Sequence, residues 1–336
     1  MVSAADNSTS GKSVNAGPAA DTTLADGYGH LADRAILFHA MLTAAGFQPE
    51  FMLASDLPEI QGLAAVAKAF PLPQNFSAPL VRVVVAGETF YLNDTDQYAQ
   101  PGTTAHDGKL GLVLAGGNIE TIHAAKNCGE TTETFYHLTL TDGGKARIAV
   151  RQEFYGSAFN GKNRYFSELP PEERRRYFQE IVSRVAQGAR PVGELTTQFA
   201  RYPGTEEFTV EVDNYAVVDG KHFYFDLPFT LSLFPAGADR RVLPLFLPQS
   251  SRNVVRTEIE LPPAFHRLVI APASQTLRAP GGTAAVVSTG SGGKYVVTDE
   301  LQTVPVIVPP ADYPALLRTE SALREKAAKV FLLEKR

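Results

Sequence analysis

Tryptophan is absent from this 336-residue chain, and cysteine occurs once, at Cys128. A single thiol excludes an intramolecular disulfide and any zinc site built on several cysteines. No apolar run approaches the roughly 20 residues that a membrane-spanning helix requires, so no transmembrane segment is expected. Excess charge is also lacking. The 31 Lys and Arg residues nearly balance 36 Asp and Glu, leaving a net charge of −5. That balance offers no general attraction to nucleic acid, and no nucleic-acid partner is expected. The densest basic run, Arg174-Arg175-Arg176, directly follows Glu172-Glu173 and reads as a solvated helix face. Metal-binding patterns are missing as well. His106, His123, Cys128 and His137 match no ligand spacing, and Asp94, Asp96 and Asp142 form no calcium loop. No metal and no cofactor are expected.

What remains is the composition of a globular protein, 44% hydrophobic and 20% charged. The length exceeds one typical core and implies two or three domains. Residues 1–22 are rich in Ser, Ala, Gly and Asn, show no basic-then-apolar signal order, and read as a flexible tail. Residues 23–117 read as a first domain and 118–336 as a β-rich second one, with a further division considered near 272.

The first domain opens with an apolar stripe at Leu31, Ala35, Phe38, Leu42 and Ala45. It predicts a helix from about His30 to Ala45, ended by Gly46 and buried in the domain centre. Glu50 to Ala54 reads as a strand. Leu80 to Val85, Ala86-Gly87-Glu88 and Thr89 to Leu92 predict a hairpin, and Leu110 to Leu114 one more strand. In the second domain, Thr134–Leu140 with Lys145–Tyr155 and Asn214–Val218 with Lys221–Phe225 predict two further hairpins. Pro170-Pro171, Glu172 and Glu173 mark a helix start, with Phe178, Ile181, Val182, Val185 and Ala186 on its buried face. Strands are predicted at Phe208–Val212, Val254–Leu261, Arg267–Ile270, Ala284–Ser288 and Lys294–Thr298. A helix follows from Tyr313 to about Lys329. The many Phe and Tyr residues of this region, including Phe135, Phe223 and Phe225, are assigned to core packing. The fold class expected is α+β.

One motif goes further. Gly27-Tyr28-Gly29-His30-Leu31-Ala32-Asp33-Arg34, running into an apolar helix and Ala44-Ala45-Gly46-Phe47, resembles the signature helix of bacterial transglutaminase-like proteins. The resemblance implies a truncated transglutaminase/papain-like core followed by a β-sandwich-type region. Asp142-Gly143, the Ser167-to-Gln179 segment, Tyr202-Pro203-Gly204 and Pro310-to-Pro314 are similar to the β-rich part that follows in those proteins. It also implies a chain that is a fragment or an unusually short member, from a bacterial cell envelope or periplasm.

The family's cysteine nucleophile would fall on Leu31, its histidine on Ala78 and its aspartate on Asn93. No histidine occurs between His39 and His106 to replace the base. A leucine cannot become a thiolate, and without nucleophile and base no proton-transfer chemistry remains. The resemblance therefore implies a catalytically inactive protein. It would act as a binding or structural module for a peptide or protein ligand, with His30 and Asp33 lining the cleft and Leu31 packed into the vacated space. The alternatives are a hydrolase or acyl transferase with a site relocated to His30 or Cys128, and a purely structural envelope protein. For His30 and Asp33 a simpler reading is a polar residue and an acid at a helix start.

Overall fold

The computed structural model describes residues 17–229, 232–234, 239–248, 250–265, 267–291 and 293–335. Residues 1–16 of the expected tail lie outside these. Residues 17–22 do not form a tail, because they belong to helix α1 (Gly17–Asp26). That helix packs on α2 (Leu31–Ala44), where Thr23 comes so close to Gly29 that a Cβ there would meet its methyl group at 2.8 Å. The fold is α+β and mostly β.

The first unit continues with β1 (Glu50–Ser55), α3 (Gln61–Ala69), β2 (Phe76–Val85), β3 (Glu88–Leu92), β4 (Leu110–Val113) and β5 (Ile119–Thr121). These strands form one antiparallel sheet in the order β3-β2-β1-β4-β5, which runs past residue 117. The β2–β3 hairpin turns on Ala86 and Gly87, with φ of 53° and 85°. Two positive φ angles give a turn whose twist matches the flanking strands. Helix α2 lies against β1 and β2, with the His39 ring stacked on Phe51 at 4.2 Å between centroids. Only Ala35 of α2 is fully buried. The helix was expected at a domain centre, but sheet and α1 cover only part of it, and Leu31, Ala40 and Met41 face solvent.

The second unit contains β6 (Thr131–Leu140), β7 (Ala146–Tyr155), α4 (Gly156–Glu168), α5 (Pro171–Val185), β8 (Arg190–Gln198) and β9 (Gly204–Val212). It continues through β10 (Val217–Asp219), β11 (His222–Asp226), β12 (Leu245–Leu247), β13 (Ser251–Glu260), β14 (Arg267–Ile270) and β15 (Gln275–Ala279). Strands β16 (Gly282–Ser291), β17 (Lys294–Thr303) and β18 (Val306–Val308), helix α6 (Tyr313–Arg324) and β19 (Val330–Glu334) complete it. Eight strands make one sheet in the order β15-β16-β17-β13-β6-β7-β9-β8, so sheet and core both run through residue 272. A four-stranded sheet, β10-β11-β19-β14, packs across from it. Between them Phe223, Phe225, Phe331 and Leu333 meet Leu138, Ile148, Ile259 and Val297, with Tyr295 edge-on to Phe331. Alternation along each strand supplies this face. Phe223 and Phe225 are buried as the sequence suggests; Phe135 is on the opposite face, for the same reason of alternation.

Helix α4 joins the two units. Asn160 accepts from Gln100 N and donates to Thr103 Oγ1, both at 2.9 Å, and Asn163 Nδ2 donates to Tyr98 O at 2.7 Å. At its start the backbone is so close to Gly129 O that a Cβ on Gly156 would sit 2.5 Å away. The same helix is pinned by a knot around the buried Glu206, in which the half-buried Lys162 Nζ meets Glu206 Oε1 at 2.7 Å and Tyr177 donates to Glu206 Oε2 at 2.6 Å.

Asp299 on β17 is buried between Val255 and Val286, and its Oδ2 has no hydrogen-bond partner within the protein. Burial pushes its carboxyl from the ordinary 3.8 up to about 7. A raised carboxyl pKa means that its stability contribution is complete at low pH and is lost as pH climbs from 3.8 to about 7. Asp299→Asn should therefore leave the melting temperature nearly unchanged near pH 4. At pH 8 it should stabilise the protein by up to about 4 kcal/mol, at roughly 1.4 kcal/mol per pKa unit. Paired thermal melts across that range test this; a difference that does not grow with pH rules it out.

Candidate functional site

The site expected from the sequence lies where α2 begins. His30 is the N-cap, in extended conformation, and its backbone N–H is accepted by Asp33 Oδ2 at 3.1 Å. This is half of a capping box, and it gives both residues a structural employment. The other end of α2 closes with Phe47 N on Leu42 O and Gly46 N on Thr43 O, both at 3.0 Å, the paired bonds of a Schellman motif.

Asn93 follows β3 and is buried, with a φ of 89° that is uncommon outside glycine. Its Nδ2 donates to Leu31 O at 2.9 Å and to Pro79 O at 2.8 Å. Ala78, next to Pro79, pairs with Ala54 and packs on the Met52, Leu80, Tyr91 and Ile122 cluster. The Asn93 amide thus ties the backbone carbonyls of Leu31 and Pro79 together, while Ala78 is the chain neighbour of Pro79. The expectation that Leu31 fills the vacated space fails. Its side chain is 48% exposed, because the first turn of α2 turns its carbonyl toward Asn93 and its side chain outward.

Beyond Asn93, Asp94 Oδ2 accepts from Thr104 Oγ1 and, at 2.9 Å, from Ala105 N. Asn93 Oδ1, Asp94 Oδ1 and His106 Nδ1 are buried atoms with no partner within the protein. Burial lowers the His106 pKa, a pull that the nearby Asp94 charge opposes, so the imidazole favours its neutral form. The other candidates are scattered. His39 stacks on Phe51, while His137 is exposed on β6, with ring nitrogens 3.9 Å from Glu258 and Glu260. Asp142 Oδ1 accepts from Ala264 N at 2.9 Å, far along the fold from Asp96, whose Oδ1 accepts from Tyr98 N. Cys128 is buried 3.8 Å from Pro101 O, and burial pushes its thiol above the ordinary value, which favours the unreactive protonated form. Among the described residues, no cluster of three His, Cys, Asp or Glu side chains suits a metal ion.

Between the two units lies a recess of about 440 Å3 lined by Glu59, Asp107, Lys109, Cys128, Glu130 and Ser157, among others. Burial, reinforced by Asp107, raises the Glu59 pKa, and Glu130 accepts from Ser157 Oγ. The recess draws on separate segments with no common spacing, so sequence motifs gave no signal for it. A protonated Glu59 can donate a hydrogen bond there. The thiol it contains is the buried Cys128, and among the described residues no imidazole is hydrogen-bonded to that thiol.

No protein-family model matches the chain, and no curated protein does. Among solved structures, one described as a candidate protease from Parabacteroides distasonis is similar, at 15% identity and a TM-score of 0.43. The match covers 94% of this chain, which spans 46% of the length of that structure.

Asn93 sets the strongest local test. It faces two carbonyl oxygens, so only a donor suits the position. Asn93→Asp puts acceptors against acceptors, and the new carboxyl can donate to one of them only when protonated. At pH 7 this variant should lose roughly 2–4 kcal/mol, on the scale of a buried polar group left unpaired. The loss should shrink as pH falls below about 5, where the carboxyl takes up its proton. Urea melts at the two pH values measure it; a loss independent of pH would show that the amide is not the bridge.

Proposed function

We propose that this chain is a transglutaminase-like protein whose catalytic positions have been vacated, and that it acts as a binding module for a peptide or protein segment. The observation that carries the reading is the Asn93 bridge. Positions 31 and 93, assigned by resemblance to nucleophile and orienting acid, are joined by one hydrogen bond at the first turn of α2, and Ala78, assigned to the base, precedes Pro79, whose carbonyl takes the second. None of the three carries a thiol, an imidazole or a carboxylate. An orienting acid accepts a hydrogen bond from the histidine ring; Asn93 instead donates to backbone and ties helix to sheet.

In this reading the papain-like part is α2 on the β3-β2-β1-β4-β5 sheet, and the ligand lies along the exposed start of α2. Tyr28 and Leu31 offer apolar contact there. A relocated hydrolytic site at His30 or Cys128 has less support. His30 caps the helix, and the Cys128 thiol is buried and driven toward its protonated form.

The purified protein should neither transfer a primary amine onto casein nor hydrolyse peptide and ester substrates above background, and Cys128→Ser should behave identically. Thiol-dependent turnover abolished by that substitution would overturn the inactive reading. For the binding half, extended apolar peptides titrated into isotope-labelled protein should shift backbone amides around Leu31 and Asn93. Shifts confined to other regions would overturn it.

A further inference from the structure

The open face of the eight-stranded sheet carries a groove of about 460 Å3. Register builds it in two rows. Arg256, Phe135, Arg151, Glu207 and Thr196 stand side by side on β13, β6, β7, β9 and β8. The neighbouring row reads Glu258, His137, Ala149, Thr209 and Val192 on the same strands. All ten line the groove. Small side chains at Ala149 and Thr209 lower its floor, and the Phe135 ring stands between two arginines. At about 4.8 Å between strands, five strands give a trough roughly 19 Å long. Strand β8 leaves its ladder between Val192 and Thr196, and Glu194 from that excursion lines the groove at this end.

Both arginines of this groove are answered by carboxylates. Arg256 binds Glu258 through Nε and Nη2 at 3.1 and 3.0 Å. Arg151 bonds to Glu153 at 2.7 Å and pairs with Glu207 at 3.3 Å. His137 lies 3.9 Å from Glu258. A strongly charged ligand would have to break these pairs or meet like charge. A neutral ligand with many hydroxyl groups need not, because each pair still presents free donors and acceptors at its rim. The pairs also hold the long side chains in place, which lowers the entropy lost on binding. An aromatic ring on the floor suits the apolar face of a sugar ring.

We propose that this groove binds an uncharged oligosaccharide, with Phe135 as the stacking platform and the Arg151–Glu207 and Arg256–Glu258 pairs as hydroxyl partners. The site is independent of the start of α2, which lies in the other unit.

The test is calorimetric titration of the full chain with cellohexaose, maltohexaose and chitohexaose. At least one should bind. Phe135→Ala should weaken it about tenfold, the equivalent of roughly 1.4 kcal/mol. Ala149→Tyr, which fills the trough with a residue suited to a strand, should abolish binding while far-ultraviolet circular dichroism stays unchanged. Affinity should vary little as ionic strength rises from about 0.05 to 0.5 M, since no net charge is neutralised. Three results would each overturn the proposal. These are no binding of any of the three sugars, binding untouched by Ala149→Tyr, or a groove that takes only charged peptides and releases them in salt.

Discussion

Strand β13 holds the larger unit together. It lies between β6, which it pairs in parallel, and β17, which it pairs antiparallel, each along nearly its whole length. A parallel partner cannot be reached by a tight turn, so this pairing joins segments separated by more than a hundred residues. Arg252 reinforces the join, bonding Glu300 on one side at 2.7 Å and Glu133 on the other at 3.3 Å. Without β13 the β15-β16-β17 strands would have no sheet to join, and the apolar face opposite Phe225 and Phe331 would be incomplete. The groove would lose Arg256 and Glu258 as well.

The second constraint is the seam between the units. Tyr202 donates to Asn127 O at 2.5 Å and accepts from Gly156 N at 3.0 Å, fixing the connecting segment against the start of α4. Helix α4 then reaches back with Asn160 and Asn163. A helix carrying Gly156, Asn160, Gly161 and Asn163 has low intrinsic propensity. Its stability comes from contacts at both ends of this seam and from the Lys162–Glu206–Tyr177 knot. A partly buried ion pair of this kind fixes geometry more than it adds net stability. It explains how a weak helix can be the piece that sets where the recess between the units lies.

Helix α2 is held by local devices at both its ends. The cap at His30 and Asp33, the Schellman end at Gly46 and the amide bridge at Asn93 are all local hydrogen-bonding devices. They need no reactive group. Asn93 accepts an unusual backbone angle to reach two carbonyls at once, and strain of that kind persists where surrounding bonds over-determine it. The exposed Leu31 side chain follows from the same geometry.

Much of the fold was legible in the sequence wherever period and turn chemistry agreed. Helix α2, the β2–β3 and β6–β7 hairpins, helix α5 with Ile181, Val182 and Val185 inward, and the paired Phe223 and Phe225 rest on neighbouring residues alone. Helices α1, α3 and α4 and strands β5, β8, β12, β15 and β18 were not legible, because they are short or poor in periodic apolar residues and owe their form to what they pack against. The same division governs the sites. Positions 31, 78 and 93 could be singled out from local motifs, yet the exposure of Leu31 and the donor role of Asn93 depend on how helix meets sheet. Phe135 is the clearest case. Sequence made it one aromatic among many destined for a core; the pleat turned it to the open face, and cross-strand register set it between Arg151 and Arg256. Register between distant strands is a property of the folded sheet and of no single segment, which is why only the tertiary structure decided it.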